Sequence, residues 1–427
     1  MHVLIVGAGG FIGRHVAGRL LAAGARVTLA ARAPERLRRS FPMARTLACD
    51  LARDRAADWA PRLAGIDAVV NCAGIIGNRA DYAGVHDRGA RALFDACLAA
   101  GVGRVIQISS LGADESGVTA YHRSKKRADD HLMALDPAGE RMGWAVLRLS
   151  LVMGRGGAST ALFTALAALP LLPRLGSGRW QVQPIHIDDL ARAVLRLLER
   201  PGPLACALDA VGPQAVSTDE LTEALRGWLG LAQGRAPKLS LPKPLLALVA
   251  RLGIGPATRE SLTMLAAGNT APSAPFVAAL GFCPMTLGEA LARYPACAAD
   301  LTEARLRALA PVLAGLLALV WLGGGIVSLA LAPTATVAPW LGRVGLAGPG
   351  ATAALWAGSL ADIAVGLGLI LRRRGAPLAG VALMAVYTAI LTAAAPELWA
   401  DPFGPLVKNL AVLGLSLALF AMEGRRG

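Results

Sequence analysis

From Ala308 to Leu371 the chain carries only two charged residues, Arg343 and Asp362, and from Gly375 to Pro396 it carries none. A helix crossing a hydrocarbon core needs about 20 consecutive apolar residues. Four segments have that length and character: 308–331, 353–371, 377–395 and 404–422. A bundle buried in a water-soluble protein would need a polar outer face on each helix, and these segments have none. Residues 305–427 therefore read as an α-helical four-span transmembrane bundle.

Basic residues set its orientation. Arg305 and Arg307 precede the first span, Arg372, Arg373 and Arg374 separate the second from the third, and Arg425 and Arg426 follow the fourth. The opposite connections carry Arg343 alone, then Glu397 and Asp401. All three basic clusters fall on the side of the first 300 residues. The expectation is a multi-pass protein of the cell inner membrane with a cytoplasmic amino-terminal domain. Charges inside a membrane are costly and mark functional positions. Asp362 lies mid-span and Lys408 about one turn inside the fourth span, so the two are expected to approach as a pair in the bundle interior.

The first 300 residues have another character. His2–Val6 reads as a buried strand, followed by Gly7-Ala8-Gly9-Gly10-Phe11-Ile12-Gly13 and an apolar-periodic helix to about Leu21. Glycines at such a strand–turn–helix junction let a pyrophosphate approach the helix N-terminus, whose free N–H groups and dipole favour an anion. Further strands are expected at Arg26–Ala31, Arg45–Ala48, Ala68–Asn71, Arg104–Ser109 and Trp144–Leu149, with helices near 53–64, 87–100 and 119–135. Strands alternating with helices imply a parallel sheet covered on both faces. The second strand ends in Ala30-Ala31-Arg32, with no carboxylate before Glu35. A cation there suits the 2′-phosphate of NADP, where an acid would suit NAD. Asp50 and Leu51 close the third strand on the adenine side, and Ala73 and Gly74 follow the fourth, where small residues let the backbone pass close to the cofactor.

Tyr121 and Lys125 lie four apart, on one helix face. The ammonium is expected to lower the phenol's pKa and to hold the nicotinamide ribose, leaving Tyr121 to exchange a proton while hydride moves. Ser110, at the end of the preceding strand, offers a hydroxyl to a substrate carbonyl. His186-Ile187-Asp188-Asp189 reads as a helix start capped by its aspartates rather than as a metal site. The six cysteines form no CxxC or Cys/His cluster, so no metal site is expected and the domain suits a reducing compartment. The lobe over 203–295 is expected to hold Leu204–Val211, Thr218–Leu229 and Pro244–Leu252 as short elements.

Gly7-x-x-Gly10-x-x-Gly13, Tyr121-x-x-x-Lys125 and Gln183-Pro184-Ile185-His186-Ile187-Asp188-Asp189 resemble the short-chain dehydrogenase/reductase superfamily, in its extended or atypical branch, over roughly residues 1–295. Ile108-Ser109-Ser110-Leu111-Gly112-Ala113-Asp114 with Tyr121-His122-Arg123-Ser124-Lys125 is most similar to the group containing the NADPH-binding accessory subunit of respiratory complex I. Trp399 to Asn409 resembles the DoxX-like membrane family, which forms four-helix bundles. These resemblances imply an α/β Rossmann domain, a doubly wound parallel sheet with a small carboxyl-terminal substrate lobe, over residues 1–300, and a DoxX-like transmembrane domain over 305–427. They imply NADP as cofactor, NAD less so, bound through Gly7, Gly10, Phe11, Ile12, Gly13, Arg32, Asp50, Leu51, Ala73, Gly74, Tyr121 and Lys125. Tyr121, Lys125 and Ser110 would be catalytic.

The expected activity is hydride transfer to or from a carbonyl or alcohol on a lipophilic, even quinone-like, substrate at the bilayer. The alternative is a non-catalytic NADPH-binding sensor or assembly protein whose bundle engages a respiratory-chain partner. The net charge of +14 alone does not argue for nucleic acid. Residues 303–427 hold nine basic and five acidic residues, +4, which leaves +10 on the first 302 to face an anionic cofactor and an anionic leaflet.

Overall fold

The computed structural model describes the chain except residues 78–79, 232–235, 241, 243–257, 331–338, 340, 403 and 424–427. The helix expected at Pro244–Leu252, the end of the first span at 331 and the Arg425–Arg426 pair lie outside the described residues. Two compact units, Met1–Ala304 and Arg305–Gly427, divide the chain.

The first unit is built on a seven-stranded sheet in which every pairing is parallel. Its strands are β1 (His2–Val6), β2 (Arg26–Ala31), β3 (Arg45–Ala48), β4 (Ala68–Asn71), β5 (Arg104–Ser110), β6 (Gly143–Leu149) and Ala205–Ala210. The spatial order is Ala205–Ala210, β6, β5, β4, β1, β2, β3. The order reverses between β1 and β4, where a doubly wound sheet opens a crevice at the strand C-termini. Strand periodicity sorts the core into two layers. Val3 and Ile5 pack with α1 (Phe11–Ala22) and helix Ile187–Glu199. Leu4 and Val6 pack on the other face with α3 (Ala56–Leu63), α4 (Gly89–Ala99) and α5 (Ala120–Leu135).

Element bounds move by a few residues from those expected. Strand β5 reaches Ser110, and the 53–64 helix shrinks to α3. Helix α2 (Pro34–Ser40), unforeseen in the sequence, starts with Pro at its first position, where the missing N–H costs nothing. The segment ahead of α4 is a π-helical turn, Ala83–Arg88, whose entry is pinned where Asp81 accepts from the Gly84 N–H at 2.8 Å. At helix Ile187–Glu199 the cap is His186, which accepts from the Asp188 N–H; the aspartates do not cap it. Asp188 instead accepts from the Tyr294 hydroxyl, and Asp189 from the Met285 N–H at 2.9 Å, which ties the lobe back to the sheet unit.

Among the described residues, three helices are long and apolar enough to cross a membrane: Ala298–Ala330, which starts at the end of the first unit, Gly348–Ile370 and Ala376–Ala394. The fourth expected span begins later than foreseen, as a 17-residue helix Val407–Glu423. Small residues let these helices approach closely. A Cβ on Gly325 would lie 2.6 Å from the Ser359 carbonyl oxygen, and one on Gly366 would lie 2.6 Å from Leu322. Asp362 does not pair with Lys408. Its carboxylate accepts from the Tyr387 hydroxyl at 2.9 Å, while Lys408 is exposed. A phenol on the adjoining helix satisfies the carboxylate without a second buried charge, and Lys408, near a helix end, reaches outward.

One guanidinium ties the sheet to the end of the helix that covers it. Arg104 of β5 donates to the carbonyls of Leu197, Leu198, Arg200 and Gly202 at 2.7–3.0 Å, closing the C-terminus of helix Ile187–Glu199. Arg104→Ala should cost about 2 kcal/mol and lower the thermal unfolding midpoint of the detergent-solubilised protein by several degrees, read by circular dichroism.

Candidate active site

The glycine turn is a cradle that side chains would fill. Gly7 has φ +76°, in the left-handed region, and a Cβ there would lie 2.7 Å from the Ala73 backbone. A Cβ on Gly13 would lie 2.5 Å from the Gly7 carbonyl oxygen, so α1 could not pack so close to β1. Gly10 caps α1 with extended backbone and no side chain. The first-turn N–H groups of Phe11, Ile12 and Gly13 therefore meet whatever approaches from the crevice, which fits a pyrophosphate. The Phe11 ring packs against the loop Gly154–Gly157 on the far side of that approach.

The other expected nucleotide residues sit at strand ends along the same edge. Arg32 follows β2 and is exposed. Asp50 follows β3 and accepts from the Ala52 N–H at 3.2 Å, whereas Leu51 is buried in the core layer. Ala73 and Gly74 follow β4, and the Ala73 N–H is held by Asn71 Oδ1 at 3.2 Å.

Helix α5 brings in the chemistry. Its cap is Thr119, which accepts from the His122 N–H at 3.1 Å. One turn in, Lys125 is buried and its Nζ donates to the carbonyls of Ile108 at 2.9 Å and Ala73 at 3.1 Å. Burial lowers its pKa to about 8, against the pull of Asp129. Tyr121 differs from expectation. Burial pushes its phenol up to about 12, the negative charges of Asp129 and Glu260 add to this, and a hydrogen bond with Ser110 only partly offsets them. The Lys125 ammonium, turned toward backbone carbonyls, does not depress it. A phenol held protonated at neutral pH is suited to donating a proton.

Several members of this cluster were not foreseen. Asp129, one turn beyond Lys125, is buried and accepts from the Ser109 hydroxyl. Burial raises its carboxyl to about 6. Its i+4 spacing from Lys125 was readable as a helix-face pair. Tyr82, just ahead of the π-helical turn, and His86, within it, meet Tyr121 edge-on, with ring centroids 5.8 and 5.2 Å away. His86 Nε2 accepts from the Ile75 N–H at 2.9 Å, so the ring is neutral and its Nδ1 N–H faces Ser124 Oγ at 3.2 Å. Burial holds its pKa down at about 2. Glu260 arrives from helix Arg259–Ala267, and its carboxylate, after burial, helps raise the Tyr82 phenol.

Such a glycine cradle at the reversal point of a parallel sheet, with a tyrosine–lysine helix across it, defines a nicotinamide-dinucleotide oxidoreductase of the Rossmann type. The model of the NAD dependent epimerase/dehydratase family matches residues 3–205, and that of the DoxX-like family matches residues 318–417. A ceramide reductase of Caulobacter vibrioides is 32% identical over 256 residues, covering 57% of this chain and 74% of that protein. An epimerase family protein of Mycobacterium bovis is 28% identical, covering 54% of this chain and 78% of that one. Among solved structures, MoeE5 in complex with UDP-glucuronic acid and NAD superposes with a TM-score of 0.53 at 24% identity, over 68% of this chain and 97% of that one. The UDP-glucuronic acid 4-epimerase of Bacillus cereus gives 0.54 at 19% identity, over 71% and 99%. The chain belongs to the NAD-dependent epimerase/dehydratase family and carries a carboxyl-terminal DoxX-like membrane domain.

The raised carboxyl of Asp129 has a testable sign. The folded chain keeps a proton that the unfolded chain releases between about pH 4 and pH 6, so this group's contribution to stability falls as pH rises through that window. Asp129→Asn should therefore gain stability on the wild type across it, by about 2 kcal/mol, measured by thermal unfolding in detergent at pH 4.5 and 6.5.

Proposed function

We propose that this chain is a membrane-anchored reductase, NADPH-dependent, that converts a ketone on a ceramide-class membrane lipid to the secondary alcohol. The single observation that carries the reading is the protonated, half-buried Tyr121 held by Ser110 beside the buried Lys125. Similarity to a ceramide reductase supplies the lipid class.

A bound reduced nicotinamide supplies the hydride. Gly7, Gly10, Phe11, Ile12 and Gly13 would hold the pyrophosphate, and Asp50, at the end of β3, would face the adenine. Tyr121 delivers its proton to the carbonyl oxygen as the C–O bond gains electrons, so ketone, hydride and proton make the alcohol. Ser110 orients that oxygen and the phenol together. Lys125 exchanges its carbonyl partners for ribose hydroxyls, and Ala73 and Gly74 leave room for them. Reduction suits this site better than oxidation, because the phenol rests protonated at neutral pH. An amide carbonyl does not accept hydride from such a donor, so the reducible group is an oxidised hydroxyl-bearing carbon of the lipid.

Arg32 supports NADPH over NADH. Its exposed guanidinium follows β2 where the 2′-phosphate would lie, and fork-like donors suit phosphate. The membrane spans and the arginine clusters support anchoring in the inner membrane, with the catalytic unit in the cytoplasm. Tyr121, Lys125 and Ser110 all being present supports turnover over a purely structural nucleotide and over a role confined to assembling a respiratory complex.

Tyr121→Phe should lower kcat about 100- to 10,000-fold while leaving NADPH affinity within a factor of two, measured by stopped-flow oxidation of NADPH and by fluorescence titration. Full turnover by the variant would sink the mechanism. Arg32→Ala should weaken NADPH binding about 10-fold or more and leave NADH binding unchanged. Equal effects on both nucleotides would remove the NADPH preference.

A further inference from the structure

Glu260 stands in the first turn of helix Arg259–Ala267, and that turn is fixed by reciprocal capping. Thr258 Oγ1 accepts from the Ser261 N–H at 3.1 Å, and Ser261 Oγ accepts from the Thr258 N–H at 2.8 Å. The helix lies about 140 residues beyond Tyr121 in sequence, yet the Glu260 carboxylate lies near enough to the Tyr82 phenol to act on it, and its charge reaches both Tyr121 and His122. Tyr82 is anchored by its own hydroxyl, which accepts from the Gly77 N–H at 3.1 Å and donates to the Gly77 carbonyl at 3.0 Å. Its ring stands edge-on to Tyr121. Glu260 is thus placed one aromatic ring away from the proton donor.

Two buried polar atoms beside Tyr121 have no partner among the described residues: Glu260 Oε2 and His122 Nδ1. His122 is 6% exposed. A buried carboxylate oxygen without a donor is costly, and such groups are retained where a ligand completes them. A carboxylate accepts only, so the missing group is an N–H or O–H donor.

We propose that Glu260 is the anchoring carboxylate of the substrate site and selects ketones that carry a hydroxyl or amide N–H beside the reacting carbonyl. The assignment deepens the reductase reading and rests on it for the substrate's lipid nature. Oε2 takes the donor, and His122 Nδ1 stands ready for the same hydroxyl, which both donates and accepts. A site built around a buried acceptor rejects an analogue lacking the donor, because the acceptor is then left unpaired. Chain length and acyl composition would matter less than the polar head.

The test uses full-length protein in detergent with NADPH bound. The probes are a short-chain ceramide and its N-methyl, O-methyl analogue, which keeps the chain and removes the donors. Wild-type protein should bind the donor-bearing lipid about 10- to 100-fold tighter. Glu260→Leu and Glu260→Ala, which both lack an acceptor, should bring it to the affinity of the analogue, with NADPH affinity retained as the check on folding. Should the alanine variant fail to fold, the similarly sized leucine variant decides. Equal affinity for the two lipids in wild type, or discrimination that survives in either folded variant, overturns the assignment. The corresponding ketones separate it from the reductase reading. Discrimination in binding without any NADPH oxidation removes the reductase and leaves Glu260 as a lipid-head anchor. Reduction of both ketones with the same kcat/KM by wild type and Glu260→Leu removes Glu260 and leaves the reductase.

Discussion

A buried ammonium is among the costliest groups a domain can hold, and the first unit is organised around one. Lys125 is satisfied by carbonyls from two different strand ends, Ile108 of β5 and Ala73 just beyond β4, with the Asp129 carboxylate one turn along its own helix. Those partners fix α5 against the C-terminal edge of the sheet. Tyr121 follows from that placement, because four residues of helix separate the two side chains and nothing else can turn the phenol elsewhere.

Local patterns in the sequence were sufficient for features whose physics is local. The glycine turn is legible because Gly7 and Gly13 are needed by a backbone approach within the same twelve residues and just after β4. The apolar spans are legible because lipid imposes length and composition together. Tyr121 and Lys125 are legible because a helix face has a fixed period. What remained hidden depends on contacts across the chain. The pKa of Tyr121 could not be read from its neighbour in sequence, since burial by the rest of the fold raises it most and the charges of Asp129 and Glu260 only add to this. Asp362 was legible as a bundle-facing acid, but its partner was not. Any donor on a facing helix can satisfy it, and the close approach at Gly358, where a Cβ would lie 3.1 Å from the Tyr387 hydroxyl, brings Tyr387 rather than Lys408 within reach.

The two halves of the chain solve the same difficulty by opposite means. In the sheet unit, cations withdrawn from water are matched with backbone: Lys125 with two carbonyls, and the half-buried Arg104 with four of them. In the membrane unit, polar groups are kept few and are paired with neutral donors, as in Asp362 with Tyr387 and Asn409 Nδ2 with Thr388 Oγ1 at 3.0 Å. The difference follows from the solvent each unit faces. Water tolerates charge at the rim of a site, whereas hydrocarbon tolerates little that is not already hydrogen-bonded.

The π-helical turn at Ala83–Arg88 carries a consequence of its own. An α-helix advances by about 100° per residue, so one extra residue in a turn rotates everything upstream of it by that angle relative to everything downstream. Here the downstream phase is set by α4, whose apolar face is locked into the core. The upstream phase is what points Tyr82 at Tyr121 and Glu260. Removing a single residue from this turn would leave the core undisturbed and swing the aromatic wall of the site about a quarter of the way around the helix. The composition of the wall would be unchanged and its aim lost, so the geometry of recognition rests on an insertion that no inventory of site residues contains.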